Sequence, residues 1–413
     1  MMKEIIKSNK GEFKLLYPIY KGKNSSVYKV LDEKSKKIYA GKRIERKNLN
    51  EKRKTNYFYC EYILYHTISF ENIIHLEKEM VTTKNNYYFL LEYCNGKSLA
   101  HFMKEYEKRN KEKLNEFYIK KILHQIINGL SYLHSSYFIH RDIKLQNIFI
   151  NFDDFQATEK EEDYSQFNLD QKFTIKIGDF GFSKFLAKGD LTNSKVGTYF
   201  TAAPEVINSN GKGYNEKADL WSLGAITYDL IIGYDHNNEE IINKLEKGIF
   251  YIPNHKKISL EILSFIYGLL QPNPENRFDW AKIKSHPFII YDEKNFKYIN
   301  IETNNNEDFE IDCNINLNLI MEKINLHKDY HIWEVEKINE KLIKDNESLK
   351  QNLNEKLKII NKFESALSKF NKEINFIKEE KKKTLIDSFE ILEIDENEEK
   401  EKDDDEDEDE DED

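Results

Sequence analysis

Cysteine, proline and glycine are all scarce in this chain. Cys60, Cys94 and Cys313 are the three cysteines among 413 residues, and none forms a C-x-x-C pair. This excludes a disulfide framework and a paired-cysteine zinc site, and points to reduced, buried thiols. The six prolines and 15 glycines are few for the length, while Lys, Asn, Ile and Tyr are abundant, which is a compositional bias and not a functional signal. No apolar run approaches the roughly 18 residues of a bilayer span. The start Met1-Met2-Lys3-Glu4-Ile5-Ile6-Lys7 has no apolar signal region. A cytoplasmic chain with no membrane span and no nucleic-acid partner is expected. No D-x-D-x-D-G calcium loop occurs either.

What is present divides along the chain. The net charge of −11 is a property of the end. Residues 395–413 hold 16 acidic residues against Lys400 and Lys402, a local −14 that leaves +3 for the rest. An apolar fraction of 39% with 13% aromatics is enough for a sizeable core. Residues 13–93 read as short strands (Val27–Val30, Ile38–Lys42, Tyr87–Tyr93) broken by a helix near 54–69. From about residue 99 the pattern turns helical. Ile119, Ile122, Leu123, Ile126, Ile127, Leu130 and Leu133 make one apolar helix face, with Asn115 as N-cap. The fold class expected is α+β in two lobes, strand-rich then helix-rich.

Between two short strands (Ile148–Ile150 and Thr174–Ile177), residues 151–172 carry seven carboxylates and two lysines. That stretch reads as a solvated acidic insertion. Residues 291–330 are polar and aperiodic, a linker. Ten apolar positions and Asn346, from Leu342 to Ile377, then average 3.5 residues apart, the coiled-coil period. A helical or coiled-coil segment over 331–383 is expected to self-associate or bind a partner, followed by a disordered acidic tail.

The chemistry lies at the junction of the two halves. His140-Arg141-Asp142-Ile143-Lys144-Leu145-Gln146-Asn147 is followed by Asp179-Phe180-Gly181. In order, these supply a base candidate, a cation for phosphate and two metal ligands, as phosphoryl transfer needs. The first run resembles the H-R-D-x-K-x-x-N catalytic loop of eukaryotic protein kinases, and the second their magnesium-binding D-F-G. The resemblance covers about residues 13–290, with an N-lobe over 13–93 and a C-lobe over 97–290.

The resemblance implies ATP and Mg2+ as cofactors, a protein substrate, and a role for each matching residue. Asp142 would take the proton of a substrate hydroxyl, Lys144 would stabilise the transferred phosphoryl group, and Asn147 and Asp179 would hold the metal. Lys42 would meet the ATP phosphates, paired with Glu61. Ile19, Gly22, Val27, Ala40, Glu92 and Cys94 would complete the ATP pocket. The glycine-rich loop departs from the family pattern, with Tyr20, Gly22 and Ser25 at its three glycine positions. Ala203-Pro204-Glu205 and Arg277 match a buried ion pair of the family, and Asp219 the anchor of the catalytic loop.

Finer features imply specificity. Lys144 resembles the serine/threonine kinases, Phe182 a preference for serine, and Gln146 an indifference to upstream arginine. Ser194, with Thr192 as second choice, would be the activating phosphosite read by Arg141, and Thr198 would position substrate. Glu92–Gly96, Phe182, Gln146 and Lys217–Ser222 are together similar to the autophagy-initiating kinases, with calcium- and calmodulin-dependent kinases second. The competing expectation is a pseudokinase scaffold acting through the coiled coil and acidic tail. It is motivated by the eroded glycine loop and by Gly41 beside Lys42.

Overall fold

The computed structural model describes residues 5–8, 11–22, 25–50, 52–186, 191–192, 199–208, 213–233, 239–253, 257–290, 298–300 and 309–314, with five helical positions between 361 and 369. The expected coiled coil, apart from those positions, and the whole acidic tail lie outside the described residues. Residues 357–413 form a unit of their own.

The strand-rich half is one antiparallel sheet in the order β1-β2-β3-β4-β6-β5. Its strands are β1 (Ile5–Ser8), β2 (Gly11–Lys21), β3 (Ser25–Asp32), β4 (Ile38–Glu45), β5 (Leu76–Thr82) and β6 (Asn86–Leu91). Beta-branched and aromatic residues fill β3, β4 and β6, as a pleated, half-buried surface favours. One face closes over Phe13, Leu15, Val30, Tyr39, Val81, Tyr88 and Leu90. Helix α1 (Lys52–Thr67) covers the other, with Phe58 and Tyr65 packed against Phe89 at 5.7 and 5.4 Å between ring centroids. Strand β1 precedes the expected start of the sheet, and its pairing of Ile6 with Phe13 extends the apolar face.

Residues 92–98 connect this sheet to α2 (Leu99–Asn110) and α3 (Glu116–Ser135). The side chain of Asn115 caps α3 by accepting from the Tyr118 amide at 3.1 Å. Ile119, Ile122, Leu123, Ile126, Leu130 and Leu133 of α3 have no exposed surface. Full burial of such a side chain stabilises by about 1.5–3 kcal/mol, so this stripe fixes α3 as the spine of the helical half. Against it lie the short β7 (Phe138–Ile139), which pairs with β10 (Lys184–Phe185), the hairpin β8 (Ile148–Phe152) and β9 (Phe173–Ile177), and α5 (Lys217–Ile232), which follows the one-turn α4 (Pro204–Ile207). Nearly every residue of α5 is buried.

Two stretches differ from their sequence expectation. The acidic insertion between β8 and β9 is not simply solvated. Phe167 and Leu169 are buried, and Phe167 stacks on Phe152 at 4.6 Å. Arg109 of α2 donates to the carbonyls of Tyr164, Ser165 and Phe167 at 3.0, 3.2 and 2.9 Å. The seven carboxylates masked a few apolar anchors whose spacing follows no helical or strand period. Within the stretch read as linker, β13 (Tyr298–Asn300) and β14 (Phe309–Asp312) pair with β12 (Lys257–Ser259) and β11 (Ile249–Ile252). Ile311 and Cys313 are buried there.

Candidate functional site

Strand register builds the first part of the site. In β3 and β4, Val27 faces Lys42 and Lys29 faces Ala40. Directly opposed residues of an antiparallel pair share a face, so Val27, Lys29, Ala40 and Lys42 lie on one side. Lys42 Nζ donates to Glu61 Oε1 of α1 at 2.5 Å and to Asp179 Oδ1 at 2.8 Å. Burial works against the charge on Lys42, yet Asp179 and Glu61 outweigh it and hold the ammonium protonated. The same ammonium keeps the Asp179 carboxyl below its ordinary range. Burial pushes Glu61 the other way, upward, against the pull of Lys42. Glu61 therefore depends on Lys42 to stay charged.

Gly41, beside Lys42, has a packing reason. A methyl group there would meet Val30 Cγ2 at 2.5 Å, inside the fully buried face of the sheet. It answers a steric demand and says nothing against nucleotide binding.

The second part is the segment after β7. Asp219, buried on α5, accepts the backbone amides of His140 and Arg141 at 2.8 Å each and faces His134 Nε2 at 2.8 Å. The hydrogen bond from His134 overcomes the burial penalty and keeps Asp219 ionised. This anchor holds Arg141 at φ +68°, a left-handed conformation costly for a non-glycine residue. His140 donates from Nε2 to the Gly178 carbonyl (3.0 Å), while its Nδ1 accepts from the Asp142 amide (3.2 Å), which fixes the neutral tautomer.

Asp142 then meets Lys144 Nζ at 2.7 Å and accepts from Asn147 Nδ2 at 2.9 Å, both through Oδ2. Asn147 also donates to the Asp142 carbonyl at 2.9 Å. Phe180 is fully buried, edge-on to Tyr65 and His140 at 5.6 and 5.3 Å. That packing turns the preceding Asp179 toward Lys42. Asp142, Lys144 and Asn147 thus form one cluster and Lys42, Glu61 and Asp179 another, joined through the backbone where the Gly178 amide donates to the Asn147 carbonyl at 2.9 Å.

The expected ATP-pocket residues are less uniform. Ile19, Val27 and Ala40 are half-buried on the sheet, and Gly22 is exposed at the end of β2. Glu92 is occupied by His75 Nδ1 and Lys176 Nζ, each at 2.8 Å, so its side chain faces protein and only its backbone is offered. Cys94 is buried, and burial raises its thiol far above the ordinary value. It is a packing residue, not a nucleophile.

Of the activation-segment positions, Ser194 and Thr198 lie outside the described residues. Thr192 is buried, receives a hydrogen bond from Lys184 Nζ at 3.1 Å and bridges to Tyr214. Thr192, the second-choice phosphosite, is thus engaged on both its side chain and its backbone. Arg141 donates from Nε to the Phe182 carbonyl at 2.6 Å, and its buried Nη1 has no hydrogen-bond partner among the described residues. Arg277 Nη1 and Nη2 bind Glu205 at 2.7 and 3.0 Å, a bidentate pair joining two distant segments.

Sequence reading missed the His75–Glu92–Lys176 cluster, Tyr65 behind Phe180, and the contacts of Glu162 described below. None belongs to a motif. Each arises where elements far apart in the chain meet.

The chain is similar to known proteins over both halves. The family model described as "Protein kinase domain" matches residues 13–289. The probable serine/threonine-protein kinase PLK of Dictyostelium discoideum is 30% identical over 70% of this chain and 27% of its own length. Serine/threonine-protein kinase ATG1 of Pichia angusta is 27% identical over 68% of this chain and 38% of its own. Calcium-dependent protein kinase 5 of Plasmodium berghei is 32% identical over 69% and 47%. The chain thus spans about a quarter to a half of the length of these curated relatives. No described helix is long and apolar enough to cross a membrane. With a lysine tied to both a helix glutamate and a D-F-G aspartate, and a matching family model over two thirds of its length, the chain belongs to the protein kinase family.

Proposed function

We propose that this chain is a serine/threonine protein kinase that transfers the γ-phosphoryl group of ATP to protein hydroxyls. One observation carries the reading: Asp142 lies 2.7 Å from Lys144 and 2.9 Å from Asn147, on a segment whose Asn147 carbonyl accepts from the Gly178 amide next to Asp179. Asp142 Oδ2 is oriented by both neighbours, so the carboxylate is placed to accept the hydroxyl proton as the oxygen attacks phosphorus. Lys144 holds its ammonium where charge collects on the transferred group, and Lys42, fixed by Glu61, meets the α- and β-phosphates. Serine/threonine kinases among the relatives support the choice of acceptor.

Divalent cations of the magnesium type take oxygen ligands. Asp179 offers a carboxylate and Asn147 an amide oxygen, since its nitrogen is engaged by Asp142. That donor chemistry fits Mg2+, and the bound cation would neutralise phosphate charge and orient the leaving group. Ser194 is proposed as the phosphosite: a phosphate there would pair with Arg141, whose Nη1 has no hydrogen-bond partner among the described residues. Thr198 is proposed to position substrate. The kinase domain is proposed to span 13–290, in a cytoplasmic chain that self-associates or binds a partner through 331–383. Relatives named ATG1 and calcium-dependent protein kinase support the subfamily resemblance, and a role in autophagy is proposed from that resemblance alone.

Incubating the chain with MgATP and a serine-containing substrate tests the reading. Transfer should be lost on Asp142→Asn and on Asp179→Asn, and activity that survives both sinks it. The scaffold alternative loses one of its motives, because Gly41 is explained by Val30.

A further inference from the structure

The insertion between β8 and β9 belongs to the helical half by sequence, yet its middle reaches the sheet. Lys29 of β3 has a side chain with no exposed surface. Its ammonium donates to Glu162 Oε1 and to the Lys160 carbonyl, the latter at 2.7 Å. It also lies over the rings of Tyr93 and Tyr17, at 4.7 and 5.5 Å from their centroids. Glu162 Oε2 accepts from the Tyr93 hydroxyl at 2.8 Å, and Tyr17 of β2 donates to the Lys160 carbonyl at 3.3 Å. Tyr93 sits in the 92–98 segment that connects the two halves. Two residues on, Asn95 Nδ2 donates to the carbonyls of Phe152 and Phe155, at 2.9 Å each.

Two elements therefore converge on Glu162 and Lys160, the sheet through Lys29 and Tyr17 and the connection through Tyr93; the next stretch of the same insertion is held to the helical half by Arg109, through the carbonyls of Tyr164, Ser165 and Phe167. Nothing in the nucleotide chemistry requires a buried lysine on β3. Burial alone disfavours its charge, and Glu162 opposes that. A buried pair of this kind adds little net stability, but it fixes geometry, because either charge without the other is costly.

Position tells what is fixed. Lys29 is two residues from Val27 and opposite Ala40, on the face that carries Lys42. Tethering Lys29 to the insertion sets the height of β3 above the helical half. We propose that Glu162 is a positioning residue for nucleotide: with Lys29 it clasps the sheet to the helical half, so that the cleft is held near its binding geometry before nucleotide enters. The inference rests on the kinase reading for its ligand, and it assigns the insertion a role in nucleotide affinity rather than in transfer.

The test uses the full chain and MgADP as probe, because binding needs no transfer. Glu162→Gln removes the charge with little change of shape. The double variant Lys29→Leu/Glu162→Gln removes both partners, so no lone buried charge remains to compromise folding. Both should weaken MgADP binding about tenfold, within the usual range of coupling between sites. Turnover at saturating ATP should change less than twofold while KM for ATP rises. Coupling is reciprocal, so MgADP should slow hydrogen exchange of the amides of residues 158–165 in the unaltered chain and not in the double variant. MgADP affinity within twofold of the unaltered chain in the double variant, with no nucleotide-dependent protection, overturns the clasp. Nucleotide binding without phosphate transfer would sink the transferase reading and leave this test standing. An unaltered chain that binds no MgADP at millimolar concentration overturns both.

Discussion

The carboxylate of Asp219 accepts the backbone amide of Arg141 at 2.8 Å and holds that residue in the left-handed region at φ +68°. One buried side chain on α5 thereby shapes the loop that carries Asp142, Lys144 and Asn147. Asp219→Asn keeps the volume but loses the charge that answers His134 and two amides. Breaking a buried charged partnership of this kind costs on the order of 3–5 kcal/mol. A calorimetric scan should show a clear fall in Tm, and transfer activity should fall by more than the stability loss alone predicts, because the loop relaxes. A variant with unchanged Tm and activity would remove Asp219 from the positioning of the site.

Gly41 is constrained by Val30, whose Cγ2 stands 2.5 Å from where a methyl would sit. Gly41→Ala should destabilise by about 1–3 kcal/mol, the usual cost of overpacking a core. Val30→Ala also costs stability, but in the double variant Gly41→Ala/Val30→Ala the two losses should be less than additive. Denaturant unfolding of the four proteins measures the coupling. Strict additivity would disprove the contact.

His75 lies between Glu77 and Glu92 at 3.3 and 2.8 Å. The hydrogen bonds it donates to Glu77 and then Glu92 raise it from the ordinary 6.5 to about 9, while Glu77, accepting from His75, falls from 4.5 to about 2. A raised histidine stabilises fully below about pH 6.5 and loses its contribution as pH climbs through about 9. The depressed glutamate contributes above about 4.5 and loses its contribution as pH falls through about 2. The cluster should therefore stabilise most between about pH 4.5 and 6.5. His75→Gln should flatten the decline of Tm between pH 6.5 and 9.5, and an unchanged slope would contradict the shift.

Arg277 binds both oxygens of Glu205 and the Lys217 carbonyl, at 2.6 Å for the latter. Arg277→Ala leaves Glu205 without its fork and should cost about 3–5 kcal/mol. Arg277→Lys should recover only part of this, since an ammonium cannot reproduce the two parallel bonds. Urea midpoints of the three proteins decide it; full rescue by lysine would show that charge alone matters.

The catalytic geometry was legible because it follows from local sequence. Asp142 and Asn147 are five residues apart, and one tight loop brings them together. Helix α3 was legible from its apolar stripe and its Asn115 cap, which are local signals too. The pairing of Lys42 with Glu61 could be expected from the family resemblance. Its contact with Asp179, 137 residues away, became visible only when the two halves met.

The insertion was misjudged for the opposite reason. Its charges outnumber its apolar residues, and charge in a loop ordinarily means solvent. Glu162 becomes a buried partner because β3 presents Lys29 to it, and nothing within residues 151–172 encodes that. By itself the sequence carried the motifs on which the proposed chemistry rests: Lys42, Asp142, Lys144, Asn147 and Asp179 in kinase order. Only the tertiary structure decided which charges are buried against which. Burial and partnership depend on the approach of distant elements, and a charged side chain carries the same letter whether it faces water or a lysine.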